Sequence, residues 1–152
     1  MLNYASECLG AARPPCRNGF DEFNGTKPRP TVLIVDDNPD IAAVVNIALR
    51  PFDIRTEAVV DGLDALMHMC HRRYDLVILD LNLGDVHGLN ILRDLREMPL
   101  NKNVPVLVLT ADGSIETMAR SFGHGADEFM EKPFDLHELG IRAFRLIRPF
   151  GH

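Results

Sequence analysis

The chain has 152 residues, 46% hydrophobic and 25% charged, an ordinary globular mix that excludes both a disordered chain and a second sizeable catalytic domain. Lys and Arg number 16 against 22 Asp and Glu, so the formal charge is -6 and no basic footprint exists for tracking nucleic-acid phosphates. No apolar run approaches the roughly 20 residues that span a bilayer, and residues 1–30 lack the apolar block of a secretory signal, so no membrane contact and a cytoplasmic location are expected.

Along the chain, residues 1–30 interleave Gly10, Pro14, Pro15, Gly19, Gly25, Pro28 and Pro30 with polar residues and show no sustained period, which predicts a flexible N-terminal extension. From Thr31 onward short apolar runs alternate with helical stretches. Val32-Leu33-Ile34-Val35 is a continuous β-branched and aliphatic run that predicts a strand buried on both faces, ending in Asp36-Asp37. Asn38 as N-cap and Pro39 in the first turn open a helix that turns Ile41, Val44, Val45, Ala48 and Leu49 inward and stops before Pro51. The same logic gives a strand over 53–58, a helix over 62–71, a central strand over 76–79 ending at Asp80, and a loop over 81–87. A helix over 88–97, a strand over 104–109 ending at Thr110, a helix over 115–122, a strand over 128–130 and a last helix over 136–147 complete the pattern. Residues 149–152 form a short C-terminal tail. Five strand–helix units joined by right-handed crossovers predict an α/β, flavodoxin-like doubly wound (βα)5 fold with a five-stranded parallel sheet and five helices. Three cysteines, Cys8, Cys16 and Cys70, without a CxxC spacing, are expected to be reduced thiols.

In such a sheet the reactive crevice lies beyond the carboxyl ends of the strands, and those ends supply Asp36, Asp37, Asp80, Thr110 and Lys132. Three converging carboxylates repel one another and call for a compensating cation. Mg2+ is the natural candidate, a hard ion that binds through one or two carboxylates together with a phosphate oxygen. Lys132 adds a fixed positive charge and the Thr110 hydroxyl a donor, which describes a site for a phosphoryl group. A carboxylate can itself be the nucleophile, and Asp80, central in the sheet, is the best placed.

The ordered set Val35-Asp36-Asp37, Asp80 after an apolar strand, Gly88, Thr110-Ala111, Gly125-Ala126-Asp127 and Lys132-Pro133-Phe134 resembles the response-regulator receiver domains of two-component signalling, over residues 31–148. Any one of these pieces is weak; their order and spacing carry the likeness. The resemblance implies that Asp80 accepts a phosphoryl group from a sensor histidine kinase or a histidine phosphotransfer protein. It implies that Asp36, Asp37, Asp80 and the backbone carbonyl of Asn82 hold magnesium, that Thr110 and Lys132 contact the phosphoryl group, and that Phe129 is the aromatic switch, turning inward when Thr110 moves. The face made by the fourth helix, fifth strand and fifth helix would be the output surface. It would serve a downstream protein target, an output domain fused beyond this chain, or a homodimer in which Arg142, Arg145 and Arg148 meet Asp127 and Glu128 of a second copy. Gly84 departs from the proline common in the family, while Asn82 and Asp112 occupy positions that tune phosphoryl lifetime there. The module is expected to signal, not to turn over substrate.

Two other readings share these residues. A magnesium-dependent phosphatase or phosphotransferase would use the same aspartyl chemistry but wants an Asp two residues after its nucleophile, where Asn82 stands. A receiver that only docks would not need the complete acidic set. A flavin or nucleotide binder is disfavoured because Asp36-Asp37 would repel its phosphate. His68 and His71, three apart on one helix, are expected to line a solvated face and not a metal site.

Overall fold

The computed structural model describes residues 28–84 and 86–147. Strands β1 (Thr31–Val35), β2 (Arg55–Val59), β3 (Leu76–Leu79), β4 (Val106–Thr110) and β5 (Glu128–Glu131) form one parallel sheet in the order β2-β1-β3-β4-β5. Helices α1 (Pro39–Leu49), α2 (Gly62–His71), α3 (Gly88–Leu95), α4 (Ile115–Gly123) and α5 (Leu136–Ile147) connect the strands and follow the last of them. This is the doubly wound fold expected, and its strand order reverses between β1 and β3.

Local chemistry accounts for most boundaries. Asn38 accepts the Asp40 N–H at 3.0 Å and Pro39 occupies the first turn of α1, which ends in a 3-10 turn at Arg50–Phe52 carrying Pro51. Asp61 caps α2 by accepting from Leu63 N–H at 2.7 Å. The imidazole of His87 caps α3, its Nδ1 accepting from Leu89 N–H at 3.1 Å. The helix over 88–97 is shorter than expected, because the residues after Leu95 turn to present the Arg96 guanidinium to the carbonyls of Lys102, Val104 and Gly125. The fourth strand likewise begins at Val106, since Pro105 has no N–H for a ladder. Residues 81–87 are not a plain loop: Asn82–Leu83 and Val86–His87 pair antiparallel in a short ribbon. Gly84 turns that ribbon with φ 74°, a conformation closed to proline.

Alternate residues of the buried strands feed two cores. On one face Leu33, Val35, Val77, Leu79, Val106, Val108 and Phe129 pack under α2 and α3. On the other, Val32, Ile34, Ile78, Leu107, Leu109 and Met130 pack under α1 and α5. Helix α4 is set apart, because Ser121 is its one fully buried residue, while Ile115, Met118 and Phe122 are exposed. Cys70 is disulfide-bonded, which corrects the expectation of reduced thiols for this residue; Cys8 and Cys16 lie outside the described residues. No described helix is long and apolar enough to cross a membrane.

Candidate functional site

The site forms where β1 and β3 run side by side. Val35 is paired with Leu79, so the next residue of each strand, Asp36 and Asp80, leaves the sheet at the same level. Backbone bonds fix the two exits: Asp80 N–H donates to the Val35 carbonyl at 2.9 Å and Asp36 N–H donates to the Val59 carbonyl at 3.1 Å. Asp37 follows at the exposed rim. One carboxylate oxygen from each of Asp36, Asp37 and Asp80 lies within 4.8 Å of the others.

Lys132 reaches this cluster from the far side. Its N–H donates to the Thr110 carbonyl at 2.8 Å, which anchors the residue to the end of β4. Its Nζ lies 2.6 Å from Asp36 Oδ2 and 3.3 Å from Asp80 Oδ2. Both carboxylates are buried, and Lys132 is largely so. Burial pushes the Asp36 carboxyl above the ordinary carboxylate range, against the lowering pull of the Lys132 hydrogen bond and of the Asn38 N–H, which Asp36 Oδ1 accepts at 2.9 Å. For Lys132 burial works to lower the pKa, yet the hydrogen bonds and charges of Asp36 and Asp80 together outweigh it and hold the ammonium above its usual value. The Lys132 Nζ thus stands in contact with both buried aspartates.

Thr110 is buried at the end of β4, and its Oγ1 accepts the Asp112 N–H at 3.4 Å. Asn82 is exposed, and its N–H donates to Asp80 Oδ1 at 3.2 Å. Phe129 is buried on β5, level with Val108 and on the sheet face of the Leu95–Met98 core. It thus already lies inward in this conformation. Arg142 donates to Glu128 Oε1 at 3.0 Å and to Glu138 Oε1 at 2.6 Å, and Arg96 donates to Asp127 Oδ2 at 3.1 Å. The acidic residues expected to face a second copy are thus engaged within the chain. His68 sits on a solvated face, hydrogen-bonded to the Asp64 carbonyl, in keeping with its expected role.

The donor set fits a magnesium ion. All three side chains offer hard oxygen atoms, and their spacing is one that a single ion with bonds of about 2.1 Å bridges after small side-chain rotations. The pair of Lys132 and Asp36 joins residues 96 apart in the chain, which only the fold brings together.

The chain belongs to the response regulator receiver domain family, whose model matches residues 32–143. It is a receiver domain with an aspartate cluster like the family's phosphoacceptor sites, and such domains act through their own phosphorylation and dephosphorylation. Among curated relatives, the DNA-binding dual master transcriptional regulator RpaA of Synechocystis is 36% identical over 119 residues, covering 78% of this chain and 49% of its own length. The chain spans about half the length of the curated transcriptional regulators it matches. Among solved structures, the receiver domain of Francisella response regulator 1452 superposes with a TM-score of 0.72 at 32% identity, over 78% of this chain and 97% of the other. The receiver domain of a sensor histidine kinase from Pseudomonas aeruginosa, solved with magnesium coordinated in its active site cleft, does so with a TM-score of 0.72 at 28% identity, over 79% and 98%.

Proposed function

We propose that this chain is a phosphoacceptor module in which Asp80 takes a phosphoryl group from a phosphohistidine on a sensor histidine kinase or a histidine phosphotransfer protein. The observation that carries the reading is the convergence of Asp36, Asp37 and Asp80 oxygens within 4.8 Å, with the Lys132 ammonium in contact with two of them. In the transfer an Asp80 carboxylate oxygen forms a bond to phosphorus as the bond from phosphorus to the imidazole nitrogen breaks. The electron pair stays on the imidazole, and an acyl phosphate results.

Asp36, Asp37, Asp80 and the Asn82 carbonyl are the residues that would hold Mg2+, which when bound neutralises charge on the phosphoryl oxygens. Lys132 releases Asp80 to the incoming phosphorus and redirects its N–H donors to the equatorial oxygens. Thr110, one strand away, turns its hydroxyl from the Asp112 N–H to a phosphoryl oxygen. Phe129, on the same sheet face, responds to the space that Thr110 leaves. The face of α4, β5 and α5 then changes its affinity for a partner.

Residues 31–148 make up the module, with residues 1–30 as an extension and 149–152 as a tail. Coverage of about half of the transcriptional relatives supports an output domain fused to the module as one way of reading its state. A homodimer through α4, β5 and α5 is the other use of that face, and it would exchange the intrachain Arg142–Glu128 and Arg96–Asp127 pairs for pairs between copies. Light scattering with a phosphate mimic then gives a doubled mass, and an unchanged mass removes the dimer.

Intact-mass measurement after incubation with acetyl phosphate and magnesium tests the central step. A gain of one phosphoryl group that vanishes in Asp80→Asn and without metal is expected. Donor turnover with no protein adduct, retained in Asp80→Asn, would overturn the assignment.

A further inference from the structure

Between the phosphoryl site and α4 runs a continuous set of side-chain bonds that the proposed transfer chemistry does not use. Asp112 N–H donates to Thr110 Oγ1 at 3.4 Å. The Asp112 carboxylate accepts the Ser114 N–H on Oδ1 at 3.1 Å and the Thr117 hydroxyl on Oδ2 at 2.6 Å. Ser114, the N-cap of α4, accepts the Thr117 N–H at 3.2 Å and donates its hydroxyl to Thr117 Oγ1 at 3.0 Å. These bonds lower the Asp112 carboxyl below its ordinary range, the Thr117 hydroxyl contributing most. The backbone at this residue therefore belongs to Thr110, while its carboxylate belongs to the first turn of α4.

We infer that Asp112 is a positioning residue that couples Thr110 to the N-terminal turn of α4, so that withdrawal of the Thr110 hydroxyl loosens the α4 cap. The inference rests on the reading of Asp80 and Thr110 given above and adds the route by which their state reaches a helix. When Thr110 Oγ1 turns to a phosphoryl oxygen, the Asp112 N–H loses its acceptor, and the loop from Ala111 to Ser114 re-forms around a new one. Oδ1 and Oδ2 are carried with that backbone, and the Ser114 and Thr117 bonds they make are the ones that stretch. Helix α4 is suited to respond because little of it is buried beyond Ser121, so the cap is a large share of what holds its first turn. Gly113 lets the loop pack closely against the end of β5 on its other side, where a Cβ would fall 2.2 Å from the Glu131 carboxylate.

The test uses the full chain with beryllium fluoride and magnesium as the phosphoryl mimic. Fluorine resonance reports mimic uptake, and amide exchange at Thr117 and Met118 reports the cap. In the native protein the mimic is expected to speed exchange at these two amides at least about fivefold, the low end of ordinary allosteric coupling. Thr117→Val, nearly isosteric but without the hydroxyl, should still take up the mimic while its exchange changes less than about twofold. Thr117→Ser, which restores the hydroxyl, should recover the native ratio. A merely structural cap would shift the basal exchange of Thr117→Val and leave the mimic-induced ratio intact, and that result overturns the relay. Mimic uptake that is absent in the native protein, or equal in Asp80→Asn, overturns the phosphoacceptor reading beneath it and the relay with it.

Discussion

At the scale of single residues, the acidic cluster is an electrostatic compromise in which burial of the Asp36 carboxyl works against the fold. Its folded carboxyl has a raised pKa, so its contribution to stability is fully present below the unfolded value of 3.8 and is lost as pH rises through the folded value. At neutral pH the buried carboxylate is therefore a burden. Asp36→Asn is expected to stabilise the metal-free protein at pH 7 by about 1 kcal/mol, roughly 3 °C in Tm, with the gain fading below pH 4 where both states are protonated. Thermal melts at the two pH values check this. Lys132 has the opposite standing, since its raised pKa makes it a stabiliser below the unfolded 10.5 that is lost only as pH climbs through the folded value. Lys132→Met should cost about 1 to 3 kcal/mol at pH 7, read from urea midpoints, because it leaves Asp36 and Asp80 facing each other unbalanced. The sequence singles out Asp36, Asp37, Asp80, Thr110 and Lys132 because each stands at or just past the end of a strand, and strand ends are set by local apolar pattern. The contact between Lys132 and Asp36 depends instead on the order of strands in the sheet.

At the scale of elements, the predicted strands and helices follow from continuous apolar runs and from caps such as Asn38 and Asp61, which act within a few residues. The departures from these local rules fall where a distant partner intervenes. The last turn of the third helix gave way to Arg96, whose carbonyl and carboxylate partners extend to Gly125 and Asp127. The ribbon over 82–87 has only two residues per strand, too few to show a period. Helix α3 enters unusually close to the acidic cluster: a Cβ on Gly88 would lie 2.5 Å from the Asp80 carbonyl oxygen and 2.6 Å from Leu81 Cα. Both obstacles are backbone and cannot rotate aside. Gly88→Ala should therefore destabilise the protein by about 2 kcal/mol and, by displacing the backbone that carries Asp80 and Asn82, slow acceptance of phosphate from acetyl phosphate. Denaturant midpoints and the rate of mass gain measure the two effects separately.

For the molecule as a whole, metal and fold should be linked. If the acidic cluster binds Mg2+, the folded state alone presents it, so magnesium at ten times its dissociation constant should add about 1.4 kcal/mol of stability. Calcium-free melts with and without magnesium read this directly, and Asp36→Asn, more stable without metal, should show little further rise. The crossing of these two curves distinguishes a metal site from an acidic patch that is merely screened, for which sodium at equal ionic strength would do as well.

The seam between α1 and α5 gives the molecule a mechanical asymmetry. A Cβ on Gly140 would lie 2.8 Å from the Ala48 carbonyl oxygen, and the Phe52 and Phe144 rings stack beside it at 5.1 Å. Helix backbones that touch so closely have no slack to slide, whereas α4 on the opposite flank rests on a shallow attachment. A strain applied at the top of the sheet is therefore not shared evenly: the α1–α5 flank behaves as a stiff wall and the α4 flank yields. Packing alone thus sets which flank offers the less resistance, with no ligand needed to choose it.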